Sequence, residues 1–235
     1  MAKTRAMIRG AEHALVPLFR AIAAGDGERV SRLLKTSPGL AHESTPIGAT
    51  RGNPGPYYLK KIDHYVYAGD TALHIAAAAY RAAIAKKLID RGARVGARNR
   101  RGAEPLHYAS DGIPESDHWN PARQAATIAY LIGAGADPNS GDANGVTPLH
   151  RAVRTRCAAA VRALLEQGAD PLRRNGNGST PLRLAVQNTG RGGSGSPAAR
   201  AQQAHIVALL SAHRSLRAIT LPNGSRRSGR SDAMG

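Results

Sequence analysis

Three histidines, His74, His107 and His150, are the residues of this 235-residue chain best suited by type to acid–base or metal chemistry. They stand 33 and 43 positions apart, each directly after a leucine. That spacing marks copies of one unit laid along the chain, so the three imidazoles do not converge on a point. Asp111, Glu115, Asp117 and His118 gather oxygen and nitrogen donors in one stretch. Their spacing matches no defined metal loop such as the EF-hand pattern, and they read as a solvated acidic loop. Residues 192–196 do not satisfy Gly-x-Ser-x-Gly, and the glycines at 133–135 fall at a helix end rather than after a strand. There is no phosphate-binding loop and no His-Glu-x-x-His motif. Cys157 is the single cysteine, which excludes an intrachain disulfide and a four-cysteine zinc site. Set among Ala and Val, it reads as a buried, inert thiol. No catalytic group, metal or cofactor is expected. What remains is recognition chemistry: seven tyrosines, one tryptophan and 27 arginines among the 33 basic residues, the types enriched in interface hot spots.

The elements that position these side chains must be built from small residues. Apolar types make up 42% of the chain but aromatic ones only 4%. The core is therefore Ala, Leu, Ile and Val, which lets helices approach closely. The length allows one elongated domain or two compact ones. No apolar run approaches the ~20 residues needed to span a bilayer. Lys3, Arg5 and Arg9 are followed by Glu12, His13, Pro17 and Arg20, which interrupt the apolar core that a signal peptide needs. A cytoplasmic location is expected. The net charge of +17 would attract acidic proteins, nucleic acids or anionic surfaces. An arginine bias alongside abundant Ala and Gly is also what a G+C-rich genome produces.

Self-similarity carries the organisation. Thr71-Ala72-Leu73-His74, Glu104-Pro105-Leu106-His107, Thr147-Pro148-Leu149-His150 and Thr180-Pro181-Leu182-Arg183 align, with starts 33, 43 and 33 positions apart. An apolar pair follows 17 positions after the start in Leu88-Ile89 and Leu164-Leu165. In Leu131-Ile132 it is displaced by ten residues, and in Leu209-Leu210 by twelve, so the insertions fall between the two helices of a unit. Thr can cap a first helix, Pro fits the first turn, and Leu opens a buried stripe continued by Ala76, Ala109, Ala152 and Ala185. Gly92, Gly135 and Gly168 suit the left-handed end of a second helix.

This pattern resembles the ankyrin repeat, whose signature is Thr-Pro-Leu-His-x-Ala at a period of about 33 residues. The resemblance covers roughly residues 14–213 and implies an all-α solenoid of stacked helix-turn-helix units with hairpin or loop fingers. It gives five repeats, at about 14–45, 69–101, 102–144, 145–177 and 178–213. The first, with Val16-Pro17-Leu18-Phe19 in the motif position, Leu33-Leu34 after it and Gly25-Asp26 at the turn, is an amino-terminal cap. Ala72, Glu104 and Arg183 depart from the signature and should weaken single helix starts. The resemblance also implies that the motif histidines are structural and bond neighbouring turns, and that inner helices and fingers line a concave groove. Ile75, Tyr108, Arg151 and Leu184 would face that groove just after each motif.

Insertions in such arrays map to surface loops, often on the binding face. The first, 46–67, begins with Gly48 and Gly52-Asn53-Pro54-Gly55-Pro56 and continues through four of the seven tyrosines, with composition suited to an extended or hairpin finger. The second, 112–121, holds Trp119. The third, 190–201, is Gly, Ser, Ala and Arg and reads as a flexible loop. Residues 1–13 form an extension, and 214–235 a basic tail expected to be disordered. The sequence thus describes a non-catalytic scaffold, a monomer, that binds an acidic protein partner. The expected contacts are Tyr58, Lys60, Tyr65, Tyr67, Arg98, Arg100, Arg101, Tyr108, Trp119, Arg151 and Arg154. Electrostatic binding to nucleic acid or another polyanion is the second reading. An enzyme site between the tyrosine finger and the Asp111 loop is the third.

Overall fold

The computed structural model describes residues 15–187 and 197–220. Helix α1 covers 15–24. It is followed by α2 (Gly27–Thr36), α3 (Ala72–Ala78), α4 (Ala82–Ile89), α5 (Pro105–Ser110), α6 (Pro121–Gly133), α7 (Pro148–Arg154), α8 (Ala158–Glu166), α9 (Pro181–Val186) and α10 (Pro197–Thr220). The strands among the described residues are β1 (Tyr58–Leu59) and β2 (His64–Tyr65). From α3 onward the odd-numbered helices pack on one another as an inner row and the even-numbered ones as an outer row. This is the all-α solenoid expected from the repeats. Leu88, Leu131 and Leu164 are fully buried at equivalent places in successive outer helices. In the first and last units the buried member is Leu34 and Leu210, one position later than the spacing sets, while Leu33 and Leu209 are only partly buried.

The motif histidines hold the stack together. The backbone N–H of Thr71, Glu104 and Thr147 donates to Nδ1 of the histidine three residues on, at 3.1, 3.1 and 3.3 Å. An N–H can only donate, so the ring proton sits on Nε2. From there it reaches the next repeat: His74 to the Ala103 carbonyl at 3.0 Å, His107 to Val146 and His150 to Ser179 at 2.9 Å each. Glu104 does not weaken its helix start. Its N–H keeps the histidine bond, and its carboxylate is fixed by Arg98 at 3.0 Å and by Ser140 Oγ at 2.6 Å. Arg183 takes the histidine position of the last unit, and its N–H donates to the capping Thr180 Oγ1 at 3.3 Å.

Two residues in the left-handed region tie alternate units. Tyr80 (φ 53°) and Arg156 (φ 62°) occupy the same position in repeats 76 residues apart. Each lies in the turn between an inner and an outer helix. A side chain there costs about 1–2 kcal/mol of backbone strain, and both side chains supply an offsetting contact. The Tyr80 hydroxyl donates to the carbonyl of Asp111, where α5 ends. The Arg156 guanidinium donates to Ala185 O at 3.0 Å and Gln187 O at 2.6 Å, where α9 ends. These two inner helices stop after six residues, and their carbonyls need outside donors. Gln124 Nε2 on α6 supplies Ala109 O at 3.1 Å, and Gln203 Nε2 on α10 supplies Ala185 O at 2.8 Å. The array is therefore a doubled pair of repeats, one short and one carrying an insertion.

The last insertion ends earlier than 201 because α10 starts at Pro197, and that helix continues beyond 213 to Thr220. No Gly or Pro falls between 198 and 220 to stop it. Residues 1–14, 188–196 and 221–235 lie outside the described residues.

Candidate functional site

Pro54-Gly55-Pro56 turns the chain ahead of an aromatic run, and the finger then closes as a hairpin. Tyr58 lies opposite Tyr65 and Leu59 opposite His64. Asp63 completes the turn with φ 47°. The Tyr58 and Tyr65 ring centres lie 4.8 Å apart with the planes tilted by 40°, and both residues are exposed. The Tyr58 hydroxyl donates to Asp63 Oδ1 at 2.7 Å, which holds that carboxyl below its ordinary range. The other Asp63 oxygen accepts from Ser116 Oγ at 2.8 Å. Ser116 belongs to the loop between α5 and α6, so two insertions remote in sequence are latched together. In the same loop Trp119 is half-buried and donates Nε1 to Gln124 Oε1 at 2.9 Å.

Beneath the latch lies a cavity of about 210 Å³, walled by finger, loop and the ends of α3 and α7. A polar network forms its floor. Asp70 is fully buried and accepts from Tyr67 N at 2.7 Å, Asn99 Nδ2 at 2.9 Å and Tyr108 Oη at 3.0 Å. Burial pushes its carboxyl up to about 6, against the pull of the three donors. Burial likewise pushes the Tyr108 phenol upward, and the nearby Asp70 charge adds to it. Arg151 bonds Asp111 Oδ2 at 2.7 Å and Asp142 Oδ2 at 3.4 Å. Burial lowers His64, His74 and His107 to about 4, so all three are neutral at physiological pH. Cys157 is buried and pushed up to about 11 by desolvation, which leaves an unreactive thiol.

The expected contact residues divide into three groups. Tyr58, Lys60, Tyr65, Arg98, Arg100 and Arg101 are exposed. Among these, Arg98 is engaged by Glu104 and Ser140, and Arg101 lies 4.3 Å over the ring of Tyr67. Tyr67, Trp119 and Arg154 are half-buried. Tyr108 and Arg151 do not line an open groove: they are 3% and 9% exposed. Ile75 is fully buried too. Carboxylates at 70, 111 and 142 draw Tyr108 and Arg151 inward, and the finger pinned to the Trp119 loop covers that part of the inner row. Asp111 is correspondingly an ion-pair partner rather than a solvated loop residue. The arginine tips Arg100, Arg101, Arg173 and Arg174 remain on the surface. Their fingers are tied by backbone bonds, Arg100 N to Ala68 O at 2.9 Å, Ala143 N to Arg101 O at 3.0 Å and Gly176 N to Asn144 O at 2.7 Å.

Sequence reasoning missed Asp63, His64, Asp70 and Asn99. Asn99 was readable in principle. It starts a finger turn by accepting from Arg101 N and Ala103 N at 2.9 and 3.1 Å, and Asp142 and Asn175 do the same 43 and 33 residues on. Asp70 gives no such signal, because its partners arrive only when the stack forms. Among the described residues no group of three His, Cys, Asp or Glu is placed to hold a metal, and no helix is long and apolar enough to cross a membrane.

Two stretches match family models. Residues 68–100 match one described as ankyrin repeat, and residues 121–194 match one described as ankyrin repeats (3 copies). Between them lie Glu104 and the second insertion. No curated protein matches the chain.

Proposed function

The chain belongs to the ankyrin-repeat family, and from that premise we propose that it is a cytoplasmic, monomeric, non-catalytic scaffold for an acidic protein partner. Ankyrin repeats are generally protein–protein interaction modules and typically non-enzymatic. The finer reading rests on one observation: the exposed arginine tips stand on fingers joined by backbone bonds, and the long finger bonded to them through Ala68 carries the exposed Tyr58–Tyr65 pair. A fixed row of guanidinium groups recognises carboxylates, and the paired rings supply rigid apolar area at small entropic cost. Trp119 and Arg154 flank this surface as secondary contacts.

The test is affinity purification from the native cell with three proteins: wild type, Tyr58→Ser/Tyr65→Ser, and Arg100→Glu/Arg101→Glu/Arg173→Glu. Far-UV circular dichroism checks that each is folded. Acidic proteins retained by wild type and lost from both variants support the reading. The same retained set for all three overturns it. The +17 charge favours nucleic acid as a second reading, and a gel shift that weakens steeply with salt distinguishes it.

A further inference from the structure

We propose that the cavity under the Asp63–Ser116 latch is a binding site for a small organic cation, an ammonium or guanidinium group. This goes beyond the protein-binding surface and does not depend on it. The walls carry the argument. Asp63 and Asp111 are the acidic residues lining the cavity, with the exposed His118 beside them, and no lysine or arginine is among the lining residues, although the chain holds 33 basic residues. His64, Tyr80, Tyr108 and Trp119 add aromatic rings to the lining, with Tyr108 already packed against His64, His74 and Arg151. Carboxylates beside aromatic faces are the chemistry that selects a cation with N–H donors.

Two of the lining residues carry unmet polar atoms just behind the cavity wall. Asp111 Oδ1 and His64 Nε2 are closed off from bulk water and have no hydrogen-bond partner. A buried carboxyl oxygen without a donor is costly. Burial keeps His64 neutral, so it adds no repulsion. Behind the wall lies Arg151, its guanidinium 5.8 Å from the centre of the Tyr108 ring. It is paired with both Asp111 and Asp142, so its charge is offset within the floor. At about 210 Å³ the cavity is below the usual range for drug-sized ligands. It suits a head group and not a nucleotide or a fused-ring cofactor. The group could arrive on a free amine or on the arginine or lysine side chain of a peptide.

Trp119, the single tryptophan, lines the site and reports its occupancy directly. The full chain is titrated with methylguanidinium, n-butylammonium, agmatine and the peptide acetyl-Gly-Arg-Gly-amide, with n-butanol and acetate as neutral and anionic controls. Tryptophan emission is followed up to about 10 mM, a weak-binding ceiling. The expected result is saturable binding of at least one cation, about tenfold tighter than butanol. That affinity should fall about tenfold in Asp111→Asn. Because Asp111 also pairs with Arg151, Asp63→Asn is run in parallel and should weaken binding too, with Ser116→Ala, which breaks the latch but keeps both carboxylates, as the control that should still bind. Stronger binding of agmatine than of the peptide assigns the site to free amines, and the reverse assigns it to a side chain. No saturable response to any cation, or equal response to butanol or acetate, overturns the proposal.

Discussion

Acidification from neutral pH toward pH 4 should destabilise this protein through its buried histidines. His74 and His107 are fully buried, and each is held near 4. Their rings are neutral because Nδ1 accepts from a backbone N–H while Nε2–H donates to the next repeat. The folded value lies below the unfolded value of about 6.5, so the stabilisation is complete above that pH and is lost as pH falls toward 4. Each histidine contributes about 3 kcal/mol of this kind. Asp70 works in the opposite sense. Its carboxyl is raised to about 6, so protonation favours the fold as pH falls through 6, by about 3 kcal/mol. The net loss from these three groups between neutral pH and pH 4 is about 3 kcal/mol, a large share of a domain's stability. His64 and His150 are both lowered by burial and add to it. Urea midpoints followed by far-UV circular dichroism from pH 7.5 to pH 4.5 measure the slope. His107→Gln, whose amide can still donate to Val146 O, should flatten it. Stability that is equal or higher at pH 4.5, or a slope untouched by His107→Gln, would refute the reasoning.

Three further outcomes follow from single side chains. Asp70→Asn keeps one acceptor oxygen but sets an amide nitrogen against the donors of the other, Tyr67 N–H where Oδ2 is replaced, and should cost about 2–3 kcal/mol, read as a lower melting temperature with the Arg98–Glu104 side of the repeat intact. Arg156→Ala strips two charged-donor bonds from the end of α9 and should destabilise the array by about 3 kcal/mol; amide exchange should rise in Pro181–Val186 and not in Ala72–Ala78, whereas uniform exchange would contradict the local role. The Cys157 thiol should resist an aromatic disulfide reagent at pH 8 in the native chain and react completely in urea; rapid native labelling would show that it is not enclosed.

The repeat units were legible in the sequence because each helix pair repeats the same local chemistry: a cap, a leucine stripe, a glycine stop. The histidine roles came with the family resemblance, and the bonds from His74, His107 and His150 to the following repeat match it. The candidate site was legible only in outline. The tyrosine finger and the Trp119 loop stood out as breaks in the period, and both border the cavity. What could not be read was their meeting. The Ser116–Asp63 bond spans 53 positions and the Tyr108–Asp70 bond 38. Position alone placed Tyr108 and Arg151 on an open groove, but buried carboxylates from neighbouring repeats hold them inside. Tyr80 and Arg156 share a structural position while differing in size, charge and polarity, so no residue-type pattern connects them.

The pairing of units sets what lengths this scaffold can take. Thr71 and Thr147 are 76 residues apart, as are Glu104 and Thr180. A segment of that length can be duplicated or removed while every truncated inner helix still meets a long side chain from the layer before it. Adding a lone copy of about 33 residues would set two short units side by side, leaving one reaching side chain with nothing to hold. Growth of the array is quantised in doublets, and each added doublet would bring its own loop to the same edge of the molecule.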